Sequence, residues 1–207
     1  MNLSYLTGHW RDVLHLTWQH MELTLITIVI ALAIAIPLGV LAARVRPLTL
    51  PVLGTLGGIY TIPSLAFLAL LIPSVGIGRT NALIVLVAYA QLFLVRNIVA
   101  GLRGVNPAIL EAARGLGMTS WQVFRRVQMP LALPVVIAGI RTALVTTISL
   151  ATVTAWINAG GLGTLLFDGI NRDYPAETLA GAIAITALAL LADALMRLLG
   201  RLTAVGR

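Results

Sequence analysis

The side chains that could carry chemistry are few, and their positions argue against catalysis by this chain. The three histidines, His9, His15 and His20, all precede the first long apolar run, and there is no cysteine. An enzyme inside a membrane would need a nucleophile with a base, or a metal cluster, within its apolar runs. The sequence also lacks a Gly-x4-Gly-Lys-Ser/Thr loop for nucleotide phosphates. We therefore predict no catalytic residue, no metal site and no cofactor in this chain.

Polar residues inside apolar runs are the other candidates. Pro63 interrupts one run and frees a backbone carbonyl, which is tolerated where neighbours or a watery cavity satisfy it. The alternative is a packing kink beside a close-contact face at Gly54 and Gly58. A later run carries threonine and serine hydroxyls, which could form a polar stripe or bond their own helix backbone. The candidate path residues are Tyr60, Thr61, Pro63, Ser64, Thr147, Thr152 and Asn158.

Membrane helices must position these residues. A chain of 207 residues with 59% hydrophobic and 10% charged content cannot form an ordinary soluble domain. A bilayer core takes about 20 apolar residues per helix. The apolar stretches predict an all-α integral membrane protein with five transmembrane helices, over residues 23–43, within 47–78, and over about 77–101, 134–157 and 176–198.

Two charged features fall inside the predicted spans. Asp193 and Arg197 lie one helical turn apart near the end of the fifth span, a spacing that predicts an ion pair. Arg141 lies about two turns inside the fourth span, where we expect it to snorkel to the interface or to pair with a loop.

Arginine distribution predicts the orientation. One face holds ten arginines and the other holds three, and the positive-inside rule makes the richer face cytoplasmic. With five spans, the N-terminus is then outside and the C-terminus inside. The net charge of +7 is spread over short loops, so it does not indicate nucleic-acid binding. The cytoplasmic set is Arg44, Arg46, Arg96, Arg103, Arg114, Arg125, Arg126, Arg197, Arg201 and Arg207, and the outer set is Arg11, Arg79 and Arg172.

The ends of the chain complete the domain plan. Apolar residues recur at helical spacing in residues 1–20, which predicts an amphipathic helix lying on the outer interface. The first span is too long for a signal-peptide core and lacks a basic region before it, so we interpret it as a true span. The transmembrane domain is predicted over residues 21–200 and a cytoplasmic tail over 201–207. The apolar positions are Leu6, Trp10, Val13, Leu14, Trp18 and Met21.

The longest cytoplasmic loop, about residues 102–133, is too polar to span a membrane and too periodic to be a simple connector. Pro107 begins a predicted short helix, Gly115 and Gly117 can end it, and Thr119 or Ser120 can cap a second helix. We expect this second helix to end at Pro130. Two short helices joined at a glycine corner form a rigid surface suited to the groove of a partner.

This loop resembles the EAA loop of bacterial ABC importer permeases. The family pattern is Glu-Ala-Ala, three residues, Gly, nine residues, then Ile-x-Leu-Pro, and only Val127 and Met129 depart from it here. The resemblance implies that the helix containing Glu111 is a coupling helix, which rests in a cleft of a separate ATPase. The implied coupling residues are Glu111, Ala112, Ala113, Arg114, Gly115, Gly117 and Pro130.

Further stretches resemble the permeases for glycine betaine, carnitine, choline and related osmoprotectants. These stretches are residues 60–66, 111–141, 158–163 and 167–170, with Asn158 where we expect glycine. The resemblance implies the five-helix core of type I importers of the methionine-permease kind. It also implies a second permease subunit, identical or paralogous, an extracytoplasmic substrate-binding protein, and a cytoplasmic ATPase dimer that binds the ATP and Mg.

Other functions are weaker interpretations. A permease for polar amino acids is the main alternative, because such permeases share the coupling loop and the five-span core. A secondary transporter or channel would be expected to show inverted repeats or paired charges at mid-membrane, and neither is found.

Overall fold

The computed structural model describes residue 5 and residues 8–204, with side chains up to residue 201, and no strand occurs among them. The predicted all-α fold is confirmed. In chain order the elements are α1 (Trp10–Arg44), α2 (Arg46–Thr61), α3 (Ser64–Val75), α4 (Arg79–Arg103), α5 (Pro107–Gly115), α6 (Ser120–Val123), a π-helical turn (Phe124–Gln128), α7 (Met129–Thr154), a 3-10 turn (Ala155–Ile157), α8 (Gly163–Asn171) and α9 (Pro175–Ala204).

The separate interfacial helix expected over residues 1–20 is not observed in the described part of that range, because residues 10–20 belong to the long helix α1. Residues 10–44 form one helix of 35 residues, which is about 52 Å long and exceeds a hydrocarbon core of about 30 Å. The reason is local, because neither proline nor glycine interrupts residues 10–36. Trp10, Leu14 and Trp18 share one exposed face of this helix, whereas Leu6 lies outside the described residues.

The second predicted span is broken. Helices α2 and α3 meet at an angle of 93°, and Pro63 stands between them. The two ends of this bent pair lie at opposite ends of α4, because Arg103 donates to the Thr49 hydroxyl at one end and the Asn81 amide donates to the Gly76 carbonyl, directly after α3, over 2.8 Å at the other. The pair therefore crosses the full thickness of the bundle, which gives five crossings with α1, α4, α7 and α9.

Helix α4 is the centre of the bundle and packs against both α1 and α7. Close approach depends on glycine: a Cβ at Gly39 would lie 2.7 Å from Ile98, and one at Gly139 would lie 2.3 Å from Asn97. Between α4 and α1, the Gln91 amide donates to the Ala31 carbonyl over 3.1 Å. The predicted close-contact pair Gly54 and Gly58 behaves differently, since no described atom lies within 4 Å of a Cβ at either position.

Helices α7 and α9 are joined by an ionic cluster near the end of the bundle that carries α5. The predicted pair of Asp193 with Arg197 is confirmed. Arg141 also pairs with Asp193, which corrects the expectation that Arg141 snorkels or pairs with a loop. The correction has a tertiary cause, because α9 packs back along α7 and brings the carboxylate to the arginine.

Candidate functional site

The α5 loop is built by strong local signals. The Asn106 side chain caps α5 by accepting from the Ala108 amide over 3.0 Å, and Pro107 occupies the first turn, where an amide hydrogen is not needed. Ala113 is buried, whereas Glu111 and Arg114 are exposed. The helix thus rests on the bundle through Ala113 and presents its charged residues outward.

The corner after α5 has the hydrogen bonds of a Schellman motif. The Met118 amide donates to the Ala113 carbonyl over 3.2 Å, and the Gly117 amide donates to the Arg114 carbonyl over 2.9 Å. Gly117 has φ of 80°, the left-handed conformation that favours glycine. No described atom lies within 4 Å of a Cβ at Gly117, so backbone conformation rather than crowding selects glycine here.

Apolar side chains stand exposed around this corner. Leu116 is 84% exposed, Trp121 is 62% exposed and Ile109 is 44% exposed. Neighbouring exposed apolar groups are typical of interaction surfaces, which makes these three side chains candidates for contact with a partner. Sequence reasoning missed Leu116 because a single leucine beside a glycine turn carries no periodic signal.

The second helix of the loop does not end at Pro130, contrary to our expectation. Thr119 and Gln122 form a reciprocal capping box at its start, and the helix then continues as one 38-residue rod over Ser120–Ile157. Pro130 falls in the first turn of α7, directly after the π-helical turn. A proline is tolerated at such a position because the register of the backbone hydrogen bonds already changes there.

The loop is tied to the ends of α1 and α4. The Arg44 guanidinium lies 4.5 Å from the centre of the Phe124 ring, and the Gln128 side chain donates to the Leu102 carbonyl over 3.0 Å. Arg103 donates to the Ala42 carbonyl over 2.9 Å. A cavity of about 590 Å³ lies between the loop and these helix ends. The loop is therefore a fixed surface of the bundle.

The residues around Pro63 form the first part of the candidate path. Tyr60, Thr61 and Pro63 are exposed, and Ser64 is half-buried. The Tyr89 hydroxyl donates to the Ile62 carbonyl, so a neighbouring helix satisfies a backbone acceptor at the break. Tyr89 carries no signal in the sequence, because it lies within the apolar run of α4.

An aromatic cluster surrounds the same break. The Tyr60 ring packs edge-to-face with Tyr89 at 5.4 Å between ring centres and with Phe93 at 5.2 Å. Tyr60 is 38% exposed. Tyr60 thus presents part of its ring at the surface of the chain, while one buried and one half-buried ring hold it in place.

The candidate path residues on α7 are less exposed than those around Pro63. Thr147 is buried, which corrects its prediction as a path-lining residue, because its position faces into the bundle. Thr152 is half-buried and donates to the Ile148 carbonyl of its own helix. Ser149 is the exposed hydroxyl in this part of α7. The structure does not bring Thr147 to the surface that carries Tyr60.

Asn158 belongs to the turn at the opposite end of the bundle. It has φ of 62°, and Gly160 and Gly161 also have positive φ, so the chain reverses there. Buried His20 fixes this turn: its Nδ1 accepts from the Leu162 amide over 3.3 Å, and its Nε2 contacts the Ile148 carbonyl over 3.0 Å.

These features match a known protein family. Residues 35–205 match the family described as binding-protein-dependent transport system inner membrane component. This chain belongs to that family. The family consists of permease subunits of ABC transporters, and the α5 loop of this chain lies between its third and fourth crossings.

Curated relatives of this permease come from several bacteria. It is 38% identical to the glycine betaine/carnitine/choline transport system permease protein OpuCB of Bacillus subtilis, over 92% of this chain and 88% of the relative. It is 42% identical to the carnitine transport permease protein OpuCB of Listeria monocytogenes, over 95% and 89%. It is also 42% identical to the osmoprotectant import permease protein OsmW of Salmonella typhimurium, over 94% and 93%.

Solved structures show the same fold. A chain of the MetNI methionine ABC transporter, in an inward-facing conformation, matches the permease with a TM-score of 0.81 at 24% identity, over 90% of this chain and 94% of that one. A chain of an amino acid ABC transporter crystallised with histidines matches with a TM-score of 0.80 at 18% identity, over 97% and 98%. The predicted type I importer fold is confirmed.

Proposed function

We propose that this permease forms half of the translocation path of an ATP-driven importer for osmoprotectants such as glycine betaine, choline and carnitine. The observation that carries the proposal is the set of relatives. Three of them are 38–42% identical over at least 92% of this chain and are named for transport of these compounds or of osmoprotectants. The energy comes from ATP and Mg bound by a separate cytoplasmic ATPase dimer.

The α5 loop supports the part of the proposal that concerns coupling between the permease and the ATPase. Helix α5 would rest in a cleft of the ATPase, with Leu116 and Glu111 on its exposed surface. The corner at Gly117 leads directly into the continuous rod over Ser120–Ile157. Because a helix transmits displacement along its axis, movement of the loop by the ATPase would move α7 without an intervening hinge loop.

The region around Pro63 supports the part of the proposal that concerns the transported substrate. No charged residue occurs between residues 47 and 78, so the part of α2 after Arg46 and the whole of α3 present only neutral groups to a passing molecule. The exposed part of the Tyr60 ring suits a quaternary ammonium group through a cation–π contact. The contact should be weak, since a site with high affinity in both orientations would not release its cargo.

The whole assembly needs two permease subunits, identical or paralogous, and an external binding protein that delivers the substrate. The arginine distribution supports an orientation with the α5 loop in the cytoplasm and the N-terminus outside. The turn around Asn158 and helix α8 (Gly163–Asn171) would then lie on the outer side, where the binding protein docks.

The test is transport by the complex reconstituted in vesicles with its binding protein and ATPase. Uptake of labelled glycine betaine should require Mg-ATP and no sodium or proton gradient, and unlabelled choline or carnitine should compete. If methionine or histidine competes and no quaternary amine does, the cargo is an amino acid and the osmoprotectant assignment is wrong.

A variant pair tests the aromatic contact. Tyr60→Phe keeps the ring and should retain uptake, whereas Tyr60→Leu should lower it by roughly 2- to 30-fold, the range that a cation–π contact of about 0.5–2 kcal/mol provides. Equal uptake by both variants would remove Tyr60 from the path.

A further inference from the structure

A basic groove lies between α7 and α9 at the end of the bundle that carries the α5 loop. Its volume is about 300 Å³. Three guanidinium groups line it, from Arg141, Arg197 and Arg201, while Ile137, Ala138 and Met196 provide apolar surface. The groove thus combines concentrated positive charge with an apolar wall. Neither residues of the α5 loop nor the candidate path residues line it.

Asp193 organises the charge in this groove. Its side chain is only 14% exposed, and its two oxygens are divided between partners: Oδ1 accepts from Nε of Arg141 and Oδ2 from a terminal nitrogen of Arg197. The Arg141 side chain is 39% exposed and the Arg197 side chain is 55% exposed, so part of each remains accessible from the groove. Among the described residues, Arg201 has no ion pair. Three arginines and one carboxylate leave a net charge of +2, and Asp193 holds two of the three arginines in place.

The depth of the groove matches the headgroup region of a bilayer. Helix α9 begins at Pro175, beside the outer turn, and Arg197 follows 22 residues later, a rise of about 33 Å that spans a hydrocarbon core of about 30 Å. Arg197 and Arg201 therefore lie at the interface, and Arg141 lies slightly deeper.

The surroundings of the groove are apolar and open. Leu191, Leu195, Leu198 and Leu199 on α9 are each at least 44% exposed. Side chains of this kind, beside arginines at the membrane interface, meet acyl chains on one side and phosphate groups on the other. A free anion would use only the arginines, whereas a phospholipid would also use the apolar wall.

We propose that this groove binds an anionic phospholipid, with its phosphate on Arg141, Arg197 and Arg201 and an acyl chain along Ile137 and Met196. Guanidinium groups bind phosphate oxygens through paired N–H donors, and basic pockets between membrane helices on the cytoplasmic side are suited to anionic headgroups. The proposal does not depend on which cargo the permease carries.

The experiment measures lipid binding to the purified permease complex by native mass spectrometry, with dioleoylphosphatidylglycerol and dioleoylphosphatidylcholine as probes. The wild-type complex should hold phosphatidylglycerol in preference to phosphatidylcholine. The double variant R197Q/R201Q should bind phosphatidylglycerol roughly 30-fold more weakly, because each interfacial arginine contributes about 1 kcal/mol. Arg46→Gln removes a cation on the same side of the bundle but outside the groove, and it should bind like wild type.

A second variant separates the groove from general charge. Ala138→Trp fills the apolar wall and keeps every arginine, so it should also lose the bound lipid while the complex stays assembled. The proposal is overturned if Ala138→Trp and R197Q/R201Q both bind like wild type, or if the lipid is lost equally from Arg46→Gln. It is also overturned if inorganic phosphate displaces the lipid as readily as phosphatidylglycerol does, or if crosslinking places the second permease over the groove.

Discussion

Replacement of Gly117 should separate folding of the permease from coupling to the ATPase. The residue has φ of 80°, and an L-residue in the left-handed region costs about 1–2 kcal/mol. A penalty of this size lowers the ratio of correctly formed corners to altered ones roughly 5- to 30-fold. Because no described atom lies within 4 Å of a Cβ there, Gly117→Val should change the conformation of the loop without disturbing the membrane bundle.

The assay is ATP hydrolysis by the assembled complex, with and without substrate-loaded binding protein. Stimulation by substrate should fall in the order wild type, Gly117→Asn, Gly117→Ala and Gly117→Val, because asparagine tolerates the left-handed conformation and a β-branched residue tolerates it least. Gly57→Ala is the control, since Gly57 is helical, lies outside the α5 loop and has no described atom within 4 Å of its Cβ. Full stimulation in Gly117→Val, or equal loss in Gly57→Ala, would refute the reasoning.

The remaining predictions concern packing and topology. Gly139→Ala should lower the thermal unfolding midpoint, because its Cβ would lie 2.3 Å from a side chain of α4 and such overpacking costs about 1–3 kcal/mol; Gly57→Ala, an open position among the described residues, should not. Tyr89→Phe leaves the carbonyl at the helix break without its donor and should destabilise the fold by about 1–3 kcal/mol in a denaturation experiment. Single cysteines at Ser120 and Asp173 should react with an impermeant thiol reagent from opposite sides of the membrane, and labelling of Ser120→Cys but not Asp173→Cys from outside would contradict the orientation.

Features with a local cause were predictable from the sequence. The corner at Gly117, the start of α5 at Pro107 and the cap of α6 follow from residues close together in the chain, and each has the expected geometry. The spans follow from hydropathy, which responds to the bilayer rather than to neighbouring helices. The family resemblance added the docking role of α5, which local geometry alone does not specify.

Features that depend on packing were not predictable. Nothing in the sequence around Asp193 indicates that Arg141, on another helix, is its second partner. The contact of Tyr89 with the break at Pro63 likewise joins residues 27 positions apart. The prediction for Thr147 was wrong because the number of hydroxyls along a helix does not say which face is buried. The helix end predicted at Pro130 was wrong because a π-helical turn precedes this proline and lets the helix continue.

Docking of α5 on a separate ATPase is the central claim, and site-specific crosslinking tests it most directly. A photoreactive probe attached to Ala112→Cys, an exposed position of α5, should crosslink to the ATPase subunit in the purified complex. The same probe at Asn171→Cys, exposed at the far end of α8, should crosslink to the binding protein or to nothing. No ATPase crosslink from Ala112→Cys, or an equal one from Asn171→Cys, would contradict the account.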